Sequence, residues 1–280
     1  MLNKIIILGS GLAGIAAGYK LKQKKIEFEI FEKENEYGGL CRKIKIGKFI
    51  FDRFPHFSFT KDKQIRELFN KSSNKYYAHI PNIANYYKGL WLGNPTQNNL
   101  YPLDKKEKIK IIEGFKNRPN IENPKNYREW LDASFGYYFA KEFSDKYTRK
   151  YWTTEPENMS VDWVGYRVIK SPLEEIEYGA WNNDNKSKYY ANEMRYPKYG
   201  GFQSFFDSWT PKENIKLNHN LIRWNVKKKE LLFDNGYKTN YNKIISTLPL
   251  TYIANIIEDI PDNVKKQLQN FVIPLVILYQ

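Results

Sequence analysis

The residues best placed to do chemistry stand near the start of the chain, in Gly9-Ser10-Gly11-Leu12-Ala13-Gly14. In this G-x-G-x-x-G spacing the first glycine permits a tight turn, the second lets backbone N–H groups approach a pyrophosphate, and the third lets a helix pack closely on a strand. A helix that begins here turns its positive dipole end toward the phosphates. An acid, Glu32, follows roughly 20 residues further on, where dinucleotide-binding folds place a carboxylate against a ribose hydroxyl. A second double glycine, Gly38-Gly39, then lets the backbone approach another part of the same ligand.

These groups act only if the right elements carry them. The apolar run Ile5-Ile6-Ile7-Leu8 reads as a strand feeding the glycine turn, and Ile15, Ala16, Gly18, Tyr19 and Leu21 continue as a helix. Residues 26–31 read as a second strand that ends at Glu32. Alternation of Ile44 and Ile46 with lysines, a Gly47-Lys48 turn and the return 49–52 predict a hairpin. Between residues 61 and 190 the character changes, with helices expected at 63–70, 105–116, 126–135 and 138–147 among frequent prolines. Strands are expected again at 215–217, 221–226 and 231–233, with Asp234-Asn235-Gly236 as a turn. The segment 243–249 is a strand running into a loop and returns the chain to the first sheet.

The expected organisation is therefore a discontinuous nucleotide-binding domain of residues 1–60 and 196–255, a mostly helical insertion of 61–195, and the beginning of a further sheet or substrate region in 256–280. The closing stretch 274–280 reads as part of a buried strand with no polar tail, which leads us to expect a fragment of a longer protein.

Composition narrows the function classes. The 280 residues are 41% hydrophobic and 27% charged, with 22 Tyr, 17 Phe and 7 Trp, which excludes a disordered chain. A single cysteine, Cys41, rules out an internal disulfide, and no Cys or His cluster has metal-ligand spacing. No metal is expected, and a reducing cytoplasm is the expected compartment. No apolar run reaches the ~18 residues of a membrane span. The net charge of +14 is dispersed and no nucleic-acid module is present, so a solvated basic surface that attracts an anionic nucleotide is expected, with no nucleic-acid partner.

The glycine turn, the acid after the second strand and the second double glycine together resemble FAD-dependent oxidoreductases of the glutathione-reductase type. From residue 4 to about 280 the chain resembles, more specifically, UDP-galactopyranose mutase of the eukaryotic type and its bacterial relatives. The marks are Pro95-Thr96-Gln97-Asn98-Asn99, similar to Y-P-F-Q-N-N; Lys146-Tyr147-Thr148-Arg149-Lys150-Tyr151-Trp152, similar to P-Y-N-x-K-x-W; Trp163 to Val168, similar to W-x-x-x-R-V; and Arg195-Tyr196-Pro197-Lys198-Tyr199-Gly200-Gly201, similar to R-[YF]-P-x-x-G-G. The resemblance implies an α/β fold, a Rossmann-like FAD-binding domain with a mostly helical inserted substrate domain, and an isomerase that interconverts UDP-galactopyranose and UDP-galactofuranose. It implies FAD as cofactor, reduced for catalysis with NAD(P)H as reductant, and covalent catalysis by the flavin N5 without net oxidation of the sugar.

Carried over residue by residue, the resemblance assigns cofactor contacts to Gly9, Ser10, Gly11, Leu12, Ala13, Gly14, Glu32, Lys33, Gly39, Leu40 and His56. It assigns substrate contacts to Gln97, Phe143, Thr148, Trp152, Arg167 and Asp184, with His56 and Arg167 as catalytic candidates. A guanidinium fork at Arg167 suits two pyrophosphate oxygens, although Arg167 can equally pair with Asp162 or Glu174. Trp152 and Phe143 suit base stacking or plain core packing, and the Gln97 amide suits a uracil edge. His56 is either a hydrogen-bonding partner of flavin or substrate or a structural histidine; Cys41 reads as packing beside the cofactor. The sequence departs from the family at Pro55, where a glycine precedes the histidine; at Asn94, in place of tyrosine; at Thr148, in place of asparagine; and at Asp184, in place of asparagine. The rival reading is a redox flavoenzyme of the amine-oxidase or protoporphyrinogen-oxidase type, or a non-catalytic remnant.

Overall fold

A computed structural model describes residues 4–165, 168–184 and 193–269. They fall into two compact units, one running to His79 and resuming at Glu193, the other beginning at Ile80. The first unit opens with β1 (Ile5–Leu8), α1 (Leu12–Gln23), β2 (Phe28–Phe31), β3 (Lys43–Ile46), β4 (Phe49–Asp52), α2 (Lys63–Ser72) and β5 (Tyr76–His79). The second contributes β6 (Ala84–Tyr87), β7 (Leu90–Gly93), α3 (Lys105–Lys116), α4 (Tyr127–Phe135), α5 (Tyr137–Phe139), α6 (Asp145–Trp152) and α7 (Leu173–Trp181). The first unit then resumes with β8 (Met194–Pro197), β9 (Ile215–Lys216), β10 (Leu221–Asn225), β11 (Glu230–Phe233), β12 (Lys238–Asn240), β13 (Lys243–Ser246), α8 (Leu250–Ile256) and α9 (Asp262–Gln269).

The centre of the first unit is a parallel sheet of order β13-β1-β2-β9. Its register runs Ile5 opposite Phe28 on one side of β1 and Ile5 opposite Lys243 on the other. A strand buried on both faces needs a continuous apolar run, and β1 has one: Ile6, Ile7 and Leu8 are at most 1% exposed. Alternate side chains go to opposite layers. Ile7, Phe28 and Ile30 pack beneath Ala17 and Leu21 of α1, while Ile6, Leu8 and Phe31 pack against Leu221, Leu231 and Phe233 of the antiparallel β10-β11-β12 sheet. The hairpin β3–β4 and the antiparallel pair β5–β8 complete this unit.

The second unit is mainly helical around Leu92, Leu100, Ile111, Phe115, Leu131, Phe135, Phe139 and Ile176. Asp104 and Asn126 cap α3 and α4 by accepting the backbone N–H groups of Glu107 and Glu129. The expected helix 138–147 is larger and broken. A π-helical segment, Ala140–Ser144, separates α5 from α6, and the run continues to Trp152.

Several expectations shift. The structure divides the chain after His79 rather than after residue 60, because β5 pairs with β8 and Phe69 of α2 packs with Phe202 and Phe205. The strand expected from residue 26 begins at Phe28, since the Ile26 N–H still closes the end of α1 on the Leu21 carbonyl. Strands β5 to β8 and helix α7 carry no alternation or capping signal strong enough to foretell them. Of the sheet or substrate region expected over 256–280, the structure describes the part up to residue 269, which carries α9; the closing stretch 274–280 lies outside the described residues, as does Arg167.

Candidate functional site

At the carboxyl ends of β1, β2 and β13 the chain builds a crevice from backbone. The Gly9 N–H donates to the Phe31 carbonyl at 2.8 Å, and Thr247 donates through both N–H and hydroxyl to the Leu8 carbonyl at 2.9 Å. Gly14 lets α1 start directly on the turn: a Cβ there meets the Gly9 carbonyl oxygen at 2.0 Å. Gly11 differs, because a Cβ built on it meets nothing within 4 Å. It also caps α1 without any side-chain acceptor. No side chain caps the first N–H groups of α1, the arrangement that accepts an anion. Gly38 and Gly39 close on the same turn, with a bridge between Gly11 and Gly38 and a Gly38 N–H donated to the Ser10 carbonyl at 2.8 Å.

Glu32 is 8% exposed and braces this turn. One carboxylate oxygen accepts from the Ser10 N–H at 2.8 Å and the Ser10 hydroxyl at 2.9 Å, and the other accepts from the Glu34 N–H at 3.1 Å. A carboxylate accommodates about four donors, so a ribose hydroxyl can still join. A cavity of about 140 Å³ adjoins it, lined by Glu32, Lys33, His219, Asn220, Leu248 and Tyr252 among others. Phe31 stacks on Phe233 at 4.6 Å and meets His219 at 5.4 Å, giving the cavity flat aromatic walls. Tyr252 donates to the Leu221 carbonyl at 2.7 Å. His219, Asn220 and Tyr252 escaped sequence reasoning. The available signal was position, since residues just beyond parallel strands gather at one crevice. These features fit an adenine dinucleotide: uncapped helix N–H groups for phosphate, a buried acid for ribose, a cavity with aromatic residues in its lining for a base.

Leu12 and Ala13 form the first turn of α1, Ala13 exposed and Leu12 packed beside Ile15. Leu40 is exposed at the second glycine pair, next to buried Cys41, whose thiol is pushed up to about 11 by burial and by the nearby Asp52 carboxylate. Cys41 is therefore a protonated packing residue. His56 lies half-buried, its Nδ1 2.7 Å from the Phe54 carbonyl and its ring 5.4 Å from that of Phe202. Phe202 shares a core with Leu12, Ile15 and Cys41. Asp52 beneath it accepts from the Tyr196 hydroxyl at 2.7 Å, which together with burial raises that phenol.

In the second unit the expected substrate residues separate. Trp152 remains partly exposed at the end of α6, its ring 5.0 Å from Tyr151 and 5.5 Å from Trp163. Asp184 is exposed and accepts from the Tyr178 hydroxyl at 2.9 Å. Phe143 is held between Phe139, at 4.7 Å, and Tyr87, at 4.5 Å. Thr148 is 1% exposed and donates back to the Ser144 carbonyl at 2.7 Å, a local bond within the helix. Gln97 is 5% exposed and donates to the Ile169 carbonyl at 2.8 Å, anchoring the segment that follows Arg167. As placed, Phe143, Thr148 and Gln97 serve the unit's interior, while Trp152 and Asp184 present surface. Among the described residues no cluster of His, Cys, Asp and Glu offers a metal site, and no helix is long and apolar enough to cross a membrane.

Comparison with known proteins agrees with this geometry. Residues 7–72 match the family described as NAD(P)-binding Rossmann-like domain. The chain is 25% identical over 237 residues to the dTDP-fucopyranose mutase of Escherichia coli, across 81% of this chain and 57% of that protein. It is 42% identical over 67 residues to a 1-hydroxycarotenoid 3,4-desaturase of Flavobacterium sp. (strain P99-3), across 24% of this chain and 14% of that one. The crystal structure of reduced UDP-galactopyranose mutase superposes with a TM-score of 0.86 at 24% identity, across 95% of this chain and 60% of that one. The chain thus spans about three fifths of the mutases it matches. It is a Rossmann-like α/β protein with the fold of UDP-galactopyranose mutase, and the resemblance marked by its sequence motifs holds at the level of that fold.

Proposed function

We propose that the chain belongs to a flavin-dependent sugar-nucleotide mutase, acting on UDP-galactopyranose or a related nucleoside-diphosphate hexopyranose such as dTDP-fucopyranose. The observation that carries this reading is sequence likeness to a mutase over 81% of the chain, helical unit included, with a mutase fold match at TM-score 0.86, whereas sequence likeness to the desaturase covers 24% and the fold match to a putative protoporphyrinogen oxidase has a TM-score of 0.67. A redox flavoenzyme is the second reading, favoured by the higher identity of that short desaturase match.

When bound and reduced, the flavin supplies a nucleophilic nitrogen that carries covalent catalysis without net oxidation of the sugar. The chain's own residues bind and orient. The N–H groups at Gly11 and the start of α1 take the FAD pyrophosphate, Glu32 takes a ribose hydroxyl, and the cavity beside His219 and Tyr252 takes the adenine. His56 offers a ring nitrogen to cofactor or sugar, with its tautomer set by the Phe54 carbonyl. Arg167 grips the substrate pyrophosphate through a bidentate fork and Trp152 stacks on the base. Gln97, Phe143 and Thr148 hold the segments that carry these two. Asp184 presents a negative charge near the substrate anion, which disfavours a tight diphosphate grip at that point and bears on sugar choice. NAD(P)H serves as reductant.

The test is chromatography of UDP-galactopyranose and dTDP-fucopyranose after incubation with FAD-loaded, dithionite-reduced protein. A mutase forms furanose product in many-fold excess over flavin with no reductant consumed. Turnover that consumes an external acceptor stoichiometrically, with no furanose, establishes the redox reading instead.

A further inference from the structure

The loop bearing His56 is held from outside and braced from within. On its C-terminal side Ser58 and Arg195 exchange backbone hydrogen bonds, Ser58 N–H to the Arg195 carbonyl at 2.9 Å and Arg195 N–H to the Ser58 carbonyl at 2.8 Å. The Arg195 side chain then folds over the same loop, its Nη2 donating to the Thr60 carbonyl at 3.1 Å and to the Ser58 hydroxyl at 3.3 Å. Arg195 is only 2% exposed. Its Nε makes no hydrogen bond, although the Glu193 carboxylate stands 3.4 Å away. A guanidinium buried with an incomplete donor set is costly to the fold, so its value lies in what it holds.

Within the loop the His56 Nδ1 lies 2.7 Å from the Phe54 carbonyl. A carbonyl oxygen only accepts, so Nδ1 carries the hydrogen and the neutral ring keeps its lone pair on Nε2. Pro55 stiffens the step between them. Loop 54–60 is thus braced from within by the contact of the imidazole with the Phe54 carbonyl and held from outside by Arg195.

From this geometry we infer that Arg195 is a positioning residue for His56: by clamping Ser58 and Thr60 it keeps the imidazole in the Nδ1–H tautomer and presents Nε2 as an acceptor. The functional meaning rests on the flavin reading above, in which Nε2 meets a donor on the reduced cofactor or the sugar. The structural half does not depend on it.

The chain has three histidines, so the imidazole nitrogens can be followed one by one in long-range proton–nitrogen NMR spectra of the full chain. His219, whose Nδ1 lies 2.7 Å from the Leu217 carbonyl, is an internal standard in the same unit. R195M is expected to abolish the Nδ1–H signature of His56 and leave that of His219 unchanged. R195K restores it in part, and S58A, which removes one acceptor, gives an intermediate loss. Retention of the His56 signature in R195M overturns the inference, as does an equal change at His219 in S58A. Added FAD separates the two readings. Failure of the unaltered chain to bind FAD refutes the proposed function, and the tautomer result still decides the role of Arg195. With FAD bound, R195M should keep flavin occupancy and move the flavin midpoint potential in the direction that H56A moves it. An R195M potential that stays put while H56A shifts it also overturns the inference.

Discussion

Gly11 and Gly14 stand in one turn but do different work, and their alanine variants should come apart. Gly11 has φ −65° and ψ 174°, a conformation any residue adopts, and an added Cβ meets nothing within 4 Å. Gly11→Ala should therefore fold with unchanged or slightly raised stability, by about 0.4–1 kcal/mol through the unfolded chain. On the proposed reading its methyl occupies space that the phosphate needs. Loss of one charge-assisted hydrogen bond costs roughly 1.5–3 kcal/mol, or about 12- to 150-fold in FAD affinity. Gly14→Ala does the reverse. Its Cβ lies 2.0 Å from the Gly9 carbonyl oxygen and 3.1 Å from the Gly9 carbonyl carbon, both backbone atoms that no rotamer change can clear. α1 must lift from β1, at about 1–3 kcal/mol or more of folding stability. Urea unfolding midpoints and quenching of flavin fluorescence by the apoprotein measure the two effects. FAD affinity in Gly11→Ala within about twofold of the unaltered chain, or equal destabilisation by both variants, refutes the assignment of the phosphate to this turn.

Other expectations follow from the charged and polar contacts. Cys41, raised to about 11 by burial and Asp52, should resist alkylation at neutral pH in the folded chain and react once urea unfolds it; rapid reaction in buffer contradicts its placement. Arg128 binds Asp145 at 2.5 Å, Glu157 at 3.0 Å and Asp132 at 3.5 Å, so Arg128→Met leaves the buried Asp145 uncompensated and should cost about 3–5 kcal/mol in thermal unfolding, with under about 1 kcal/mol arguing against the pairing. Lys146, hydrogen-bonded at 2.8 Å, holds the Glu142 carboxyl below its usual range, helped by the Tyr87 hydroxyl. Because the folded value is the lower one, this stabilisation is present above the unfolded carboxylate pKa of about 4.3 and is lost as pH falls through the folded value. The stability gap between the unaltered chain and Glu142→Gln should therefore narrow as pH falls below about 4; a gap constant with pH removes the linkage.

The strand, glycine turn and helix that open the chain were legible in the sequence because each of their parts is local. The run Ile5 to Leu8, the glycine spacing and the acid ending β2 specify strand, turn and helix from neighbours within a few positions, and α3 was foretold over its whole length. The helical unit was legible as a class but not in detail. Its π segment, and strands β5 and β8 that join residues far apart in the chain, depend on partners that no short window contains.

Sequence alone thus determined the α/β class and the position of the glycine turn between β1 and α1, since these follow from periodicity, backbone sterics and residue type. Only tertiary structure decided which candidate side chains face inward. Thr148 and Gln97 carry ligand-like chemistry yet turn to the Ser144 and Ile169 carbonyls, and His219, unremarkable in the sequence, reaches the cavity beside Glu32. The reason is that a side chain's partner is set by which backbone groups burial leaves unsatisfied, and that is a property of the packed chain.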